Sequence, residues 1–173
     1  MIYDVLVFHR TVAELALSLL VLVCVVLGAV LARRPRRGRR ALWVLTAVWV
    51  LPVLALTLVP DLKSLGEAPG PVGCTVQFSV PTLHPIDLAN MALFFVPAYF
   101  AALASRRPAL AALAGTALSA GVEALQAVLP VLGRACDTDD WLTNTVGVVA
   151  GALVAAGVAL VVGRRGPGRD LAR

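Results

Sequence analysis

Five stretches of this chain, 11–32, 41–60, 86–104, 109–130 and 141–162, are apolar over close to the ~20 residues that a helix needs to cross a bilayer. In lipid every backbone N–H and C=O must be satisfied internally, so such stretches become helices. The remaining composition leaves no room for another outcome. Of 173 residues, 60% are hydrophobic and 14% charged, against about 25% charged in soluble domains. A soluble enzyme, a disordered chain and a disulfide-dense secreted module are excluded. The expectation is an all-α, polytopic helical bundle forming one domain over 1–173, with a short basic tail at 163–173. The third stretch is the most polar, because Asp87 and Asn90 fall in its first turn. Pro52 and Pro97 lie inside spans, where neighbouring helices can take up the freed carbonyls.

The basic residues set the orientation. Six arginines lie in RRPRRGRR (33–40), two in SRRP (105–108) and four after Val162. That is 12 of the 15 Lys and Arg; only Arg10, Lys63 and Arg134 fall at the other end. By the positive-inside rule the three arginine-rich segments face the cytoplasm, the N-terminus faces out and the C-terminus in. The octet reads as an eight-residue turn between spans, touching anionic lipid and not nucleic acid. It follows the first apolar run instead of preceding it, so the first span is expected to be an uncleaved anchor. Three Cys and two His match no zinc or haem spacing, and no metal or cofactor is expected.

The carboxylates show the complementary pattern. Asp4, Asp61, Glu67, Asp87, Asp137, Asp139 and Asp140 fall in or beside the outer segments. Glu14, one turn inside the first span, reads as a satisfied or snorkelling group. Glu123 is the exception. It lies ~21 Å along the fourth helix from its inner end, in the outer half of the membrane, where an unpartnered charge costs at least ~2.5 kcal/mol. Ser119 and Gln126 are one turn away on the same face.

Asp140 and Asn144 are i and i+4 at the top of the last span, above Gly147 and Gly151, whose spacing lets another helix approach closely. Asp140 and Asn144 are expected to point at the Glu123 helix. Asn90 belongs to the outer end of the third span. Three helices thus bring polar groups to one depth: Asn90, Glu123, Gln126, Arg134, Asp137, Asp140 and Asn144. Either a functional site or a buried structural network would satisfy this pattern.

The run VEALQAVLPVLGRACDTDDWLTNTVGVVAG resembles the signature of VanZ-like membrane proteins in its Glu123, Gln126, Arg134, Asp137, Asp140, Asn144, Gly147 and Gly151. DLANMALFFVPAYF is similar to the family's segment in which an Asn precedes a Phe and a Pro, here Asn90, Phe94 or Phe95, and Pro97. Tyr99 stands in a stretch where the family often has Gly. The likeness covers roughly residues 86 to 160. The family is named for a protein linked to resistance to the glycopeptide teicoplanin. The resemblance implies a multi-pass protein of the bacterial cell membrane, and it leaves open whether the protein is an enzyme.

Three functions fit these residues. The first is a site that binds or modifies an envelope lipid or a lipid-linked wall precursor at head-group depth. Glu123 and Asp140 are its catalytic candidates, with Glu123 a general acid or base. Asn90, Gln126, Arg134, Asp137 and Asn144 would bind substrate; Arg134 would hold an anionic group, oriented by Asp137 and Asp140. The second is a non-enzymatic module in which the same residues form a structural network. The third is a small transporter or flippase, which the missing inverted repeat disfavours.

The cysteines bear on all three. Cys74 and Cys136 both fall in outer segments, where oxidation is permitted. A disulfide between them would tie the long outer loop over the Arg134–Asp140 turn; two free outer thiols are the alternative. Cys24, in mid-span, reads as a small core residue.

Overall fold

A computed structural model describes residues 10–58, 73–79, 81, 84–129 and 136–164. Five helices are long and apolar enough to cross a membrane: α1 (Arg10–Ala32), α2 (Pro35–Leu58), α3 (Pro85–Ser105), α4 (Pro108–Val128) and α5 (Thr138–Arg164). A two-residue parallel pairing joins β1 (Cys74–Thr75) to β2 (Cys136–Asp137), with Cys74 opposite Cys136 and Thr75 opposite Asp137.

Two expected boundaries move. The octet is not a turn. Only Arg33 and Arg34 link α1 to α2, and Arg36 to Arg40 are helical. Arginine is a good helix former, and Pro35 at the first helical position needs no N–H partner. Gly38 allows this tight reversal. A Cβ there would come within 2.0 Å of the Leu31 carbonyl oxygen. The last helix likewise begins at Thr138, three residues before the apolar run, because Asp137 caps it. Asp137 Oδ1 accepts the Asp139 N–H at 2.9 Å, the bond expected of an N-cap carboxylate.

The second reversal, between α3 and α4, is two residues long. Arg106 adopts a left-handed conformation (φ 58°) and its N–H bonds the Ala102 carbonyl, closing α3 as helix C-termini often close. Pro108 then starts α4 and holds Arg107 out of the helical region.

Helix α3 is the centre of the bundle and touches the other four. Half of its span is buried, against 11% for α1 and for α2. Phe94, Val96, Tyr99 and Phe100 of α3 are almost wholly enclosed, together with Val53 of α2 and Val148 of α5. Leu15, Leu19, Leu22 and Val26 of α1 are exposed, as lipid-facing side chains are. Lipid tails are as apolar as these side chains, so close packing and not water exclusion holds the helices together.

Helices α3 and α5 pack closely along their length. A Cβ on Gly147 would lie 2.2 Å from the Met91 carbonyl oxygen, and one on Gly151 2.5 Å from that of Phe95. The two glycines therefore set backbone against backbone, as their spacing predicts. Tyr99 fills a different notch. Its ring would meet a Cβ on Gly28 at 2.4 Å, and its hydroxyl donates to the Val25 carbonyl of α1 at 2.7 Å. Cys24 beside it is buried.

The chain reverses at each link, so charges separate by end. The links Arg33–Arg34 and Arg106–Arg107 and the finish of α5 share one end. Asp87, Asp137, Asp139 and Asp140 occupy the other, with the β1–β2 pairing.

Candidate functional site

On α4, Ser119, Glu123 and Gln126 form a buried polar stripe. Each reaches a different element. Asn144 of α5 donates its Nδ2 to Ser119 Oγ at 3.1 Å. Glu123 Oε2 accepts the backbone N–H of Asp137 at 2.9 Å, so the carboxylate anchors the start of α5 from across the helix pair. Gln126 Nε2 donates to the Thr57 carbonyl of α2 at 2.8 Å. Gln126 therefore ties α4 to the end of α2. Its partner belongs to a span whose position in the bundle is not written in the α4 sequence.

Asp140 lies close enough to Glu123 to act on it electrostatically. Its Oδ1 accepts from Asn90 Nδ2 on α3 at 3.1 Å, and the residue is exposed at the rim. Four carboxylates gather there: Asp140 lies in the field of Asp87, Asp137 and Asp139. The charged neighbours of Glu123 among the described residues are Asp137 and Asp140, both of its own sign. Such crowding favours a partner that brings positive charge or hydrogen-bond donors. Arg134 lies outside the described residues. Glu14 stands apart, paired with Arg10 of its own helix at 2.7 Å.

A strap covers this end. Cys74 and Cys136 are bonded, with their Cα atoms 4.5 Å apart. Beyond the disulfide, residues 75–79 run along the start of α5. Asp137 Oδ2 accepts from Gln77 Nε2 at 3.2 Å, and Asp139 Oδ1 accepts the Ser79 N–H at 2.7 Å. The Thr138 hydroxyl accepts the Gln77 N–H at 2.9 Å and donates to the Gln77 carbonyl. Thr75, Gln77, Ser79, Thr138 and Asp139 are thus parts of the site that the sequence did not single out. The run of hydrogen-bonding side chains at 137–140 was the available signal, since short polar residues at a helix start seek backbone partners.

Among the described residues, two donors on α5 remain unmatched. Trp141 Nε1 and Thr145 Oγ1 are enclosed without a hydrogen-bond partner. They are i and i+4, on the face that also carries Val148, whose side chain would meet a Cβ on Gly115 of α4. They therefore belong to the same α4–α5 seam as Glu123. Among the described residues no group of three or more His, Cys, Asp or Glu side chains is arranged to hold a metal ion.

The arrangement is thus a buried carboxylate in a helix seam, an acidic rim, unmatched donors further along α5, and a disulfide-held strap above. The family model VanZ/LLP1 matches residues 15–161, which reaches from α1 into α5. The chain belongs to the VanZ/LLP1 family. No curated protein and no solved structure matches it. As a VanZ-like protein it is a membrane protein, and five helices among its described residues are long and apolar enough to span.

Proposed function

We propose that the acidic end of this VanZ-like protein faces out of the cell membrane and holds the head group of an envelope lipid or lipid-linked wall precursor. By binding or altering that head group it changes susceptibility to glycopeptides such as teicoplanin. The observation that carries the reading is Glu123. It is buried in a span, and its charged neighbours among the described residues are carboxylates. A purely structural network would pair it with a cation, because an intramembrane charge without one is costly. A head group bearing hydroxyl or amino donors supplies what the carboxylates lack. Its phosphate is the natural partner of Arg134, and its acceptors suit Trp141 Nε1 and Thr145 Oγ1.

In this reading Glu123 is the general acid or base if chemistry occurs, and Asp140 contacts the head group at the rim. Asn90 orients Asp140, and Asn144 and Asp137 fix the walls. The outward orientation rests on the arginines collecting at the opposite end.

The alternative, a non-enzymatic module with a structural network, is favoured by one observation. Glu123, Asp137, Asp139, Asp140 and Asn144 each already make a hydrogen bond within the protein. Glu123→Gln separates the two readings. A glutamine oxygen still accepts the Asp137 N–H, so the fold survives while the charge is removed. The expected result is normal accumulation with teicoplanin susceptibility equal to that of a strain lacking the protein. Normal accumulation with wild-type susceptibility would overturn the head-group reading.

A further inference from the structure

At the opposite end of the bundle lies a cleft of about 540 Å³ that the head-group site does not use. Its rim carries Arg34, Arg39 and Arg106, from the α1–α2 link, the start of α2 and the end of α3. All three are exposed. Among the described residues no carboxylate lies at this end. Two helix N-termini, of α2 and α4, meet three C-termini, of α1, α3 and α5, at this end, so the arginines and not the helix dipoles set its charge. Pro108, the first residue of α4, also lines the cleft, and α2 carries Arg36 and Arg37 in its own first turn.

Below the rim the walls are apolar. Leu31, Leu42 and Leu103 form one side, and Ala155, Ala159 and Leu160 of α5 the other. The small side chains of α5 create the depth. Arg106 completes the rim only because α3 ends in a left-handed residue, a position that usually falls to glycine. Gly38, pressed on the Leu31 carbonyl, draws the start of α2 against the end of α1, so that Arg34 and Arg39 share one rim.

We infer that this cleft is a binding site for one anionic phospholipid, with the phosphodiester held by Arg34, Arg39 and Arg106 and an acyl chain lying along the α5 wall. Both halves of the ligand are matched: three forked cations for the phosphate, which guanidinium groups bind in bidentate fashion, and an apolar trough open to the bilayer for the chain. A soluble anion would leave the trough empty, and a zwitterionic lipid would leave the arginines in excess.

The test is native mass spectrometry of the full chain released from nanodiscs of phosphatidylglycerol mixed equally with phosphatidylcholine. The wild-type protein is expected to retain one phosphatidylglycerol at least fivefold more often than phosphatidylcholine. A variant carrying Arg34→Gln, Arg39→Gln and Arg106→Gln loses that preference. A second variant, with Arg36→Gln, Arg37→Gln and Arg40→Gln, has the same net charge but leaves the cleft intact and keeps the preference. Equal retention of the two lipids by the wild-type protein overturns the proposal without any variant. Equal loss in both variants overturns it too, because it reduces the effect to general surface charge. Release of the bound lipid by millimolar inorganic phosphate assigns the site to the free anion and likewise overturns it.

Discussion

At its acidic end the bundle is laced together: a disulfide, a capping carboxylate, and a strap whose backbone is bonded to Thr138 and Asp139. At its basic end three arginines stand around an open cleft with no carboxylate near them among the described residues. Like charge is concentrated at both ends, and the chain handles it differently. Around the carboxylates it supplies backbone and amide N–H donors from its own loops, which order the end and leave a net negative rim. Around the arginines no carboxylate is placed among the described residues. The difference teaches that the chain orders one end with its own hydrogen bonds and leaves the other as a cleft rimmed by arginine.

The contrast can be broken most forcefully at the disulfide. Cys136→Ser removes a link between residues 62 apart, and in the chain-entropy model such a loop contributes ~4 kcal/mol. Thermal unfolding in detergent, followed with and without reductant, is expected to show this loss. Hydrogen exchange should rise at 74–79 and at the start of α5, with the basic end unchanged. An even rise over both ends would erase the distinction.

Gly147→Ala should come next. Its Cβ would collide with the backbone of Met91, and backbone cannot yield as a side-chain tip does, so a cost of about 3 kcal/mol follows from overpacking. Gly28→Ala meets only the Tyr99 ring, whose rotation spares part of that cost, and should be the milder of the two in the same assay. The smallest effect expected is that of Tyr99→Phe, which removes one hydrogen bond to the Val25 carbonyl, worth about 1 kcal/mol. It should loosen α1 without altering the acidic end.

The spans were legible because hydropathy alone decides them, and Gly147 and Gly151 because small residues at i and i+4 have one use in a membrane helix. The edges were harder. Arg36 to Arg40 read as a turn by charge, although arginine is content in a helix, and the Asp137 cap moved the start of α5 into a stretch that hydropathy treats as loop. In the site, Glu123 and Asn90 announced themselves as polar residues in apolar company. The destination of each was less visible. Gln126 went to Thr57 and Asp140 to Asn90, because which helices are neighbours is a property of the whole bundle. The strap from Thr75 to Ser79 carries no motif. Its role comes from the disulfide, which the sequence left as one of two states for Cys74 and Cys136. Tyr99 packs against Gly28, 71 positions upstream, a pairing the local sequence does not show.

The most direct measurement compares the lipids that copurify with the wild-type protein and with Glu123→Gln, identified by mass spectrometry after extraction. The account predicts that the variant loses a lipid with a donor-bearing head group while keeping the phospholipid held by Arg34, Arg39 and Arg106. Identical lipid profiles from two equally stable proteins would contradict it, leaving the acidic end a structural clasp.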